Sequence, residues 1–398
     1  MTSCDSSVTT LGLAHRNYGD LPFGSRQPDR LMHCYVLGQT GTGKSTLLAN
    51  MVLQDTAAGR GLCLIDPHGD LARDLAQRLG SRALFWEVAD PISTLGYNPL
   101  TRTSPQLRPL VASGLIETLK KQWPDAWGVR MEHLLRQALL ALLDQPRADL
   151  RDILQLFLDR SFRQAALIHV ADEQVRQFWT QEYPAMNYKT AADGFAPIAN
   201  KLGAFLAHPV VRRALCEPEE PIRFRALMDE GRILLVSLSK GQLGAEIADV
   251  LGGLLTSSLV HAAFTRTSIE QSVRRPFFLY IDEFHSFTTE TIADLLSETR
   301  KYGLGLILAQ QHMQQTSDAV LSSILGNCGT MIAFRVGASD AGKVASQLGL
   351  SDRTPLITQP NHRAHVRLMI DGAPSRAFSM TTLPLPTLPQ IVPRTAGC

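Results

Sequence analysis

Charge is scarce in this sequence. Asp, Glu, Lys and Arg supply 19% of the 398 residues and almost cancel, leaving a formal net charge of +2. Such a balance does not announce a nucleic-acid binder by composition, and any basic surface has to be local, sorted onto one face by the fold. Cysteine is scarce too. The six thiols, Cys4, Cys34, Cys63, Cys216, Cys328 and Cys398, are scattered over the whole chain and form no C-x-x-C. That spacing argues against a zinc site and a disulfide framework, and it suits a reduced cytosol. Long apolar runs are missing as well. The longest stretch, Val250 to Phe264, is interrupted by Thr256, Ser257, Ser258 and His261. It is too short and too polar to cross a bilayer and reads as a buried helix. Met1 to Asp20 is polar and has no signal-peptide core. No internal repeat is visible.

What is present is ample apolar material, 44% of the chain, enough for one large domain or two ordinary ones. Leu31–Leu37, Leu62–Ile65 and Ala83–Val88 read as buried strands, with helices at Thr46–Leu53 and Leu71–Leu79 between them. Strands alternating with helices imply a parallel sheet. The pattern changes after Asn98-Pro99-Leu100. From about Leu107 to Cys216 the periodicity is helical, as with Met131, Leu134, Leu135, Ala138, Leu139 and Leu142 on one helix face. Strands return at Ile233–Leu238, Phe277–Ile281, Leu304–Ala309, Met331–Val336 and, as a last one, His365–Ile370. Helices are expected over Gly244–Arg266 and Ile292–Tyr302. The end carries Pro384, Pro386, Pro389 and Pro393 and reads as an extended tail.

Two motifs carry chemistry. Gly38-Gln39-Thr40-Gly41-Thr42-Gly43-Lys44-Ser45 fits G-x-x-x-x-G-K-[ST] in full and lies between a strand and a helix. The glycines let successive N–H groups, through Thr46, turn inward around phosphate oxygens, and the helix start adds its positive end. Lys44 is a compact cation for the β- and γ-phosphates, and Ser45 offers a hydroxyl to Mg2+. The second motif is Asp282-Glu283, directly after the strand Phe277–Ile281. Two carboxylates at the C-terminal edge of a parallel sheet stand where such sheets bind ligands. Asp282 suits Mg2+, and Glu283 suits orienting and polarising an attacking water. His285 nearby reads as a packing or surface residue. ATP and Mg2+ are therefore the expected cofactors.

Together with other segments these motifs resemble the HerA–FtsK superfamily of hexameric DNA-pumping ATPases. Within it, the chain is similar to the soluble part of conjugative coupling proteins of type IV secretion systems (TraD/TraG-like). The likeness is carried by Val36–Ser45, Ile65–Asp70, Asn98-Pro99, Val236–Gly241, Tyr280–Phe284, Glu298–Gly303, Ala309–Gln311 and Phe334-Arg335, in family order. It implies a RecA-like P-loop NTPase fold, α/β with a central mainly parallel sheet flanked by helices, plus an inserted all-α domain. The segments would be 1–104 and 221–382 for the ATPase domain, 105–220 for the insertion and 383–398 for a Pro-rich tail. The resemblance also implies two roles. Arg300 matches an arginine finger reaching a neighbour's nucleotide, with Arg335 as a second candidate. Gln311 matches a γ-phosphate sensor, with Gln310 as its competitor.

The implied partners are DNA and further copies of the chain in a homo-hexamer. Lys120, Lys121, Arg130, Arg136, Lys201, Arg212 and Arg213 are the basic residues of the insertion; Trp123, Trp127 and Trp179 read as core. Coupling proteins usually begin with transmembrane helices, whereas only 37 residues precede Gly38 here and none forms a span. The expectation is either recruitment by a membrane-bound secretion-system partner or a free cytosolic motor. Two other readings stay open: an assembly ATPase for a secretion or pilus machine acting on protein, and a nucleotide-gated subunit of a defence complex.

Overall fold

The structure, a computed structural model, describes residues 7–101, 103–186 and 188–386. Its centre is an 11-stranded sheet. In chain order the strands are β1 (Val8–Ala14), β2 (Leu21–Arg26), β3 (Cys34–Leu37), β4 (Gly61–Asp66), β5 (Leu84–Glu87) and β6 (Ile233–Ser237). They continue with β7 (Phe277–Ile281), β8 (Leu304–Gln310), β9 (Thr330–Ala333), β10 (Arg363–Arg367) and β11 (Phe378–Thr382). Across the sheet the order is β2-β1-β11-β10-β9-β3-β8-β7-β4-β6-β5. The run from β9 to β5 is parallel throughout. The remaining strands pair antiparallel at one side.

The parallel strands are buried on both faces, so they read as continuous apolar runs. Period-two alternation still sorts them. Phe277, Leu279 and Ile281 pack into one core, while Phe278 and Tyr280 pack into another. The second core is closed by helices α1 (Lys44–Ala57) and α2 (Asp70–Leu79). At its rim the Asp55 carboxylate accepts hydrogen bonds from Arg30, Arg60 and Tyr280, which ties α1 to β7.

Among the described residues between Pro105 and Leu215 every regular element is helical. The chief ones are α3 (Arg108–Gln122), α4 (Val129–Leu142) and α5 (Tyr188–Ala207). A two-residue parallel ladder, Leu95–Gly96 with Glu220–Pro221, holds the two ends of this segment together. The segment docks on α6 (Ala245–Phe264), whose stretch from Val250 onward is buried nearly all round. Against the expectation from Val250–Phe264 alone, the full helix is long and apolar enough by composition to cross a membrane, yet 78% of its most apolar window is buried in the fold, as a core helix is. The approach of α3 to α6 needs small residues. A Cβ on Gly114 would come within 2.5 Å of Ser257 Oγ, and one on Gly253 within 2.6 Å of Thr118 Cγ2. The remaining major helices are α7 (Glu290–Thr299), α8 (Asp318–Asn327) and α9 (Ala338–Leu348).

The polar N-terminus, to which the sequence assigned no element, supplies β1 and β2. One expectation needs correction. The strand expected over His365–Ile370 is split, and it is not the last. Beyond Arg367 the chain forms a separate pair, Met369–Ile370 with Ala373–Pro374, and β11 follows. The turn between that pair places Asp371 and Gly372 at φ 49 and 78, and their amides donate to the Asp29 carboxylate. Of the expected tail, residues 383–386 are neither helix nor strand, while 387–398 lie outside the described residues, as does Cys4.

Candidate nucleotide site

The phosphate loop leaves the end of β3 and runs into α1. Gly41 and Gly43 adopt φ 76 and 119, a region closed to most side chains. Gly38 is needed for a different reason: a Cβ there would lie 2.5 Å from Phe334 Cβ. The loop is pinned from both neighbouring strands. The Gly38 amide donates to Gln310 O at 3.2 Å, and the Gln39 amide to Arg335 O at 2.9 Å. Thr42 is buried and donates from Oγ1 to Gln39 O. Lys44 Nζ donates to Gly38 O at 2.6 Å and Gln39 O at 3.3 Å. Burial lowers its pKa, and the charges of Asp282 and Glu283 act against that. Ser45 and Thr46 stand in the first turn of α1 and face the cleft.

The acidic pair arrives from β7. Asp282 is the first residue past the strand, and its amide donates to Ile65 O on β4. Its carboxyl is pushed up to about 7 by burial, then by the neighbouring charges of Glu283 and Asp66, with Lys44 pulling the other way. Glu283 has φ 48, a left-handed conformation that costs a non-glycine residue about 1–2 kcal/mol. The strain turns its carboxylate into the same cleft. Among the described residues its Oε2 is buried without a hydrogen-bond partner, and so is His285 Nδ1, 3.5 Å away. Burial, and then the charges of Lys121 and Lys240, lower His285 to about 4. The imidazole is therefore neutral at physiological pH, and the two groups are not an ion pair.

Gln311 follows β8 and lines the cleft, its Oε1 accepting from Thr40 Oγ1 at 2.9 Å. Gln310 does not face this space. It is fully buried, donating to Tyr35 Oη at 2.6 Å and accepting from Thr316 Oγ1 at 2.8 Å. Arg335 lies beside the phosphate loop of its own chain, with Nη1 directed at Gln359 O. Arg300 is exposed at the opposite edge of the sheet, beside Met32, His33 and Cys328.

The cleft has a volume of about 620 Å3. It also holds Asp66, His68, Asp70, Asp74, His362 and Leu385, which carried no assigned role from the sequence. Asp66 could have been found, since it ends β4 much as Asp282 directly follows β7. Its carboxylate accepts from the His68 and Ala72 amides and so caps the start of α2. His362 and Leu385 gave no local signal. The donor set fits a magnesium nucleotide. Among the described residues no group of three His, Cys, Asp or Glu could hold an ion by itself. A cation here would use the Ser45 hydroxyl, the Asp282 carboxylate and phosphate oxygens, as Mg2+ commonly does.

The basic residues of the helical segment are largely engaged within the chain. Arg212 donates to Leu206 O and Ala207 O, and Arg213 to Val88 O, Pro91 O and Asp90 O. Arg130 pairs with Asp193, and Lys120 and Arg136 with Glu132. Trp123 and Trp179 are buried, and Trp127 donates to Glu132.

Residues 15–354 match the family model for the type IV secretion-system coupling protein DNA-binding domain. The fold is similar to the bacterial conjugative coupling protein TrwBΔN70 in its unbound form, at 16% identity and TM-score 0.65, covering 90% of this chain and 86% of that one. Plasmid coupling protein TrwB in complex with ADP and Mg2+ matches at 17% identity and TM-score 0.63, with 91% and 87% covered. VirB4 of Thermoanaerobacter pseudethanolicus matches at 15% identity and TM-score 0.62, with 96% and 98% covered. Likeness at these identities establishes a shared RecA-like α/β architecture. A search among curated proteins returns no match.

Proposed function

Because the chain belongs to the type IV secretion-system coupling protein DNA-binding domain family, we propose that it is an ATP-driven DNA translocase of the conjugative type. The phosphate loop holds the triphosphate, with Lys44 balancing its charge. Ser45 and Asp282 hold Mg2+, which supplies charge neutralisation at the transferred phosphoryl group when bound. Glu283 orients a water for in-line attack and accepts its proton. Gln311, tethered to Thr40 of the loop, senses the γ-phosphate. The observation that most supports this reading is the convergence of Gly38–Ser45, Asp282, Glu283 and Gln311 on one cleft at the C-terminal edge of the sheet.

The working assembly is a homo-hexamer that passes DNA through its centre, with residues 105–220 as a helical domain that helps select the substrate. It acts on the cytoplasmic side of a membrane-bound secretion machine, where Cys34, Cys63, Cys216 and Cys328 stay free thiols. The test is ATP turnover with and without single- and double-stranded DNA over a salt series. Stimulation by DNA should fall as salt rises, because phosphate contacts release counterions. Turnover indifferent to DNA at every salt concentration would favour a motor acting on protein instead.

A further inference from the structure

Three buried side-chain atoms that lack a hydrogen-bond partner among the described residues fall in one turn: Glu283 Oε2, His285 Nδ1 and Thr288 Oγ1. An unpaired buried polar atom is costly, so each such atom calls for an explanation. Two of the three face each other. His285 Nδ1 stands 3.5 Å from Glu283 Oε2, about half an ångström beyond an ordinary bond. The backbone between them is fixed. The Ser286 amide donates to Glu283 O at 3.0 Å, and the Phe287 and Thr288 amides donate to Phe284 O at 2.9 Å. From the helical segment, Lys121 Nζ donates to His285 O and Thr288 O. Closing the gap therefore needs only a small rotation of the ring or of the carboxylate. The ring has room for it. His285 lines a cavity of about 410 Å3 between this turn and α3, with Lys121 and Thr288 in the same wall. Catalytic hydrogen bonds often stand long in the unliganded protein and tighten when substrate binds.

We infer that His285 is the positioning residue for Glu283: with nucleotide bound, its Nδ1–H donates to Oε2 and leaves Oε1 to take the proton of the attacking water. The inference rests on Glu283 acting as the base. The direction of the bond follows from the partners. An ionised carboxylate only accepts, so the ring nitrogen that meets it carries the hydrogen. Burial and the charges of Lys121 and Lys240 keep the ring neutral, so Nε2 is then bare. A neutral donor orients the carboxylate without cancelling its charge. A lysine or arginine in this place would hold Glu283 more firmly and weaken it as a base. The two residues form a partition. Glu283 lines the nucleotide cleft, and His285 lines the cavity behind it. His285 thus reaches the chemistry only through Glu283.

Three substitutions at this one position separate positioning from packing. Asparagine sets its amide nitrogen where Nδ1 stands along the side chain, glutamine where Nε2 stands, and leucine offers no donor. Steady-state ATP turnover with Mg2+ is measured on the full chain for His285→Asn, His285→Gln and His285→Leu, each alone and combined with Glu283→Gln. His285→Gln and His285→Leu should lower kcat roughly 10- to 100-fold, the scale of one hydrogen bond to a charged group. KM for ATP should stay within about twofold, and His285→Asn should recover most of the lost rate. In the Glu283→Gln background none of the three should change the residual rate by more than about twofold, because a residue that acts through Glu283 has nothing left to act on. A wild-type kcat for His285→Leu, equal losses for all three substitutions, or a further loss on top of Glu283→Gln would each overturn the positioning role. A wild-type rate for Glu283→Gln alone would instead remove the base on which the inference rests, and the single and double variants tell these outcomes apart.

Discussion

At the scale of single residues, the acidic pair divides its labour by environment. Glu283 is held in a strained backbone, and among the described residues one of its carboxylate oxygens is unpartnered. Glu283→Gln should leave ATP binding in place and reduce turnover by roughly 10²–10⁴, the usual loss for one positioned base. Lys44→Ala should instead abolish tight binding. Nucleotide affinity and steady-state turnover, measured on both variants, check this, and a wild-type rate for Glu283→Gln would remove Glu283 from its role. Asp282 adds a pH dependence. Its carboxyl rises from 3.8 to about 7 on folding, so the fold favours the neutral form. Stability from this group is present at acid pH and is lost as pH rises from about 4 through about 7. Holding Mg2+ requires the ionised form, so Mg2+ affinity at fixed nucleotide should climb between about pH 6 and about pH 8. Calorimetric titration in that window checks it, and Asp282→Asn should flatten the curve.

At the scale of elements, the helical segment reaches the turn after Glu283 directly. Lys121, near the end of α3, donates from Nζ to His285 O at 2.5 Å and Thr288 O at 2.7 Å. Gln122 adds a bond to Ser286 O at 3.2 Å. These donors hold the turn that follows Glu283 at the boundary between the two parts of the chain. Deleting the whole segment would therefore disturb hydrolysis as well as DNA response. Lys121→Met, which keeps the aliphatic stem, is the cleaner change. It should lower kcat by about tenfold, since small misplacements of a catalytic group cost up to 10², with KM for ATP within about twofold. Faster amide exchange over Ser286–Thr288 should accompany it, and Lys121→Arg should restore part of the rate. An unchanged exchange pattern would show that the clamp does not hold this turn. None of this was visible in the sequence, where Lys121 is one of several lysines and arginines on a helix.

The elements that the sequence did reveal share one property. Phe277–Ile281, Leu62–Ile65 and the run into Gly38 are buried on both faces, so their apolar character is continuous and hard to misread. Strand β2 is a half-buried edge strand with Pro22 and Gly24 inside it, residues that ordinarily argue against a strand, and β1 lies next to it. Only their antiparallel pairing with each other and with β11 makes them strands. The cleft divides along the same line. Gly38–Ser45 and Asp282-Glu283 are contiguous motifs whose spacing encodes their geometry. His362 and Leu385 enter from far along the chain, and only the fold brings them beside Gly43 and Thr46.

At the scale of the whole molecule, the placement of Arg300 sets a condition on assembly. The cleft lies at the C-terminal edge of the sheet, where β8 ends and Gln311 begins. Arg300 lies just before β8 starts, at the N-terminal edge, exposed beside Met32 and His33. The seven residues of β8 separate the two edges, and at about 3.3 Å per residue that is roughly 20 Å. An arginine side chain cannot cross such a span, so Arg300 cannot touch the nucleotide of its own chain. If it acts on ATP, it acts on a neighbour's, which demands head-to-tail contacts that close into a ring. Arg335 offers the contrasting case, since it already lies beside its own phosphate loop. Arg300→Ala should keep ATP binding and lose most turnover, while the oligomer stays intact by light scattering. Mixing Arg300→Ala with Lys44→Ala subunits should recover part of the activity, because one kind of mixed interface pairs an intact Lys44 with an intact Arg300. Turnover followed across mixing ratios should pass through a maximum at intermediate composition. A straight line between two inactive ends, or full activity from a strict monomer, would mean that each chain hydrolyses ATP alone and that Arg300 serves only to solvate its edge of the sheet.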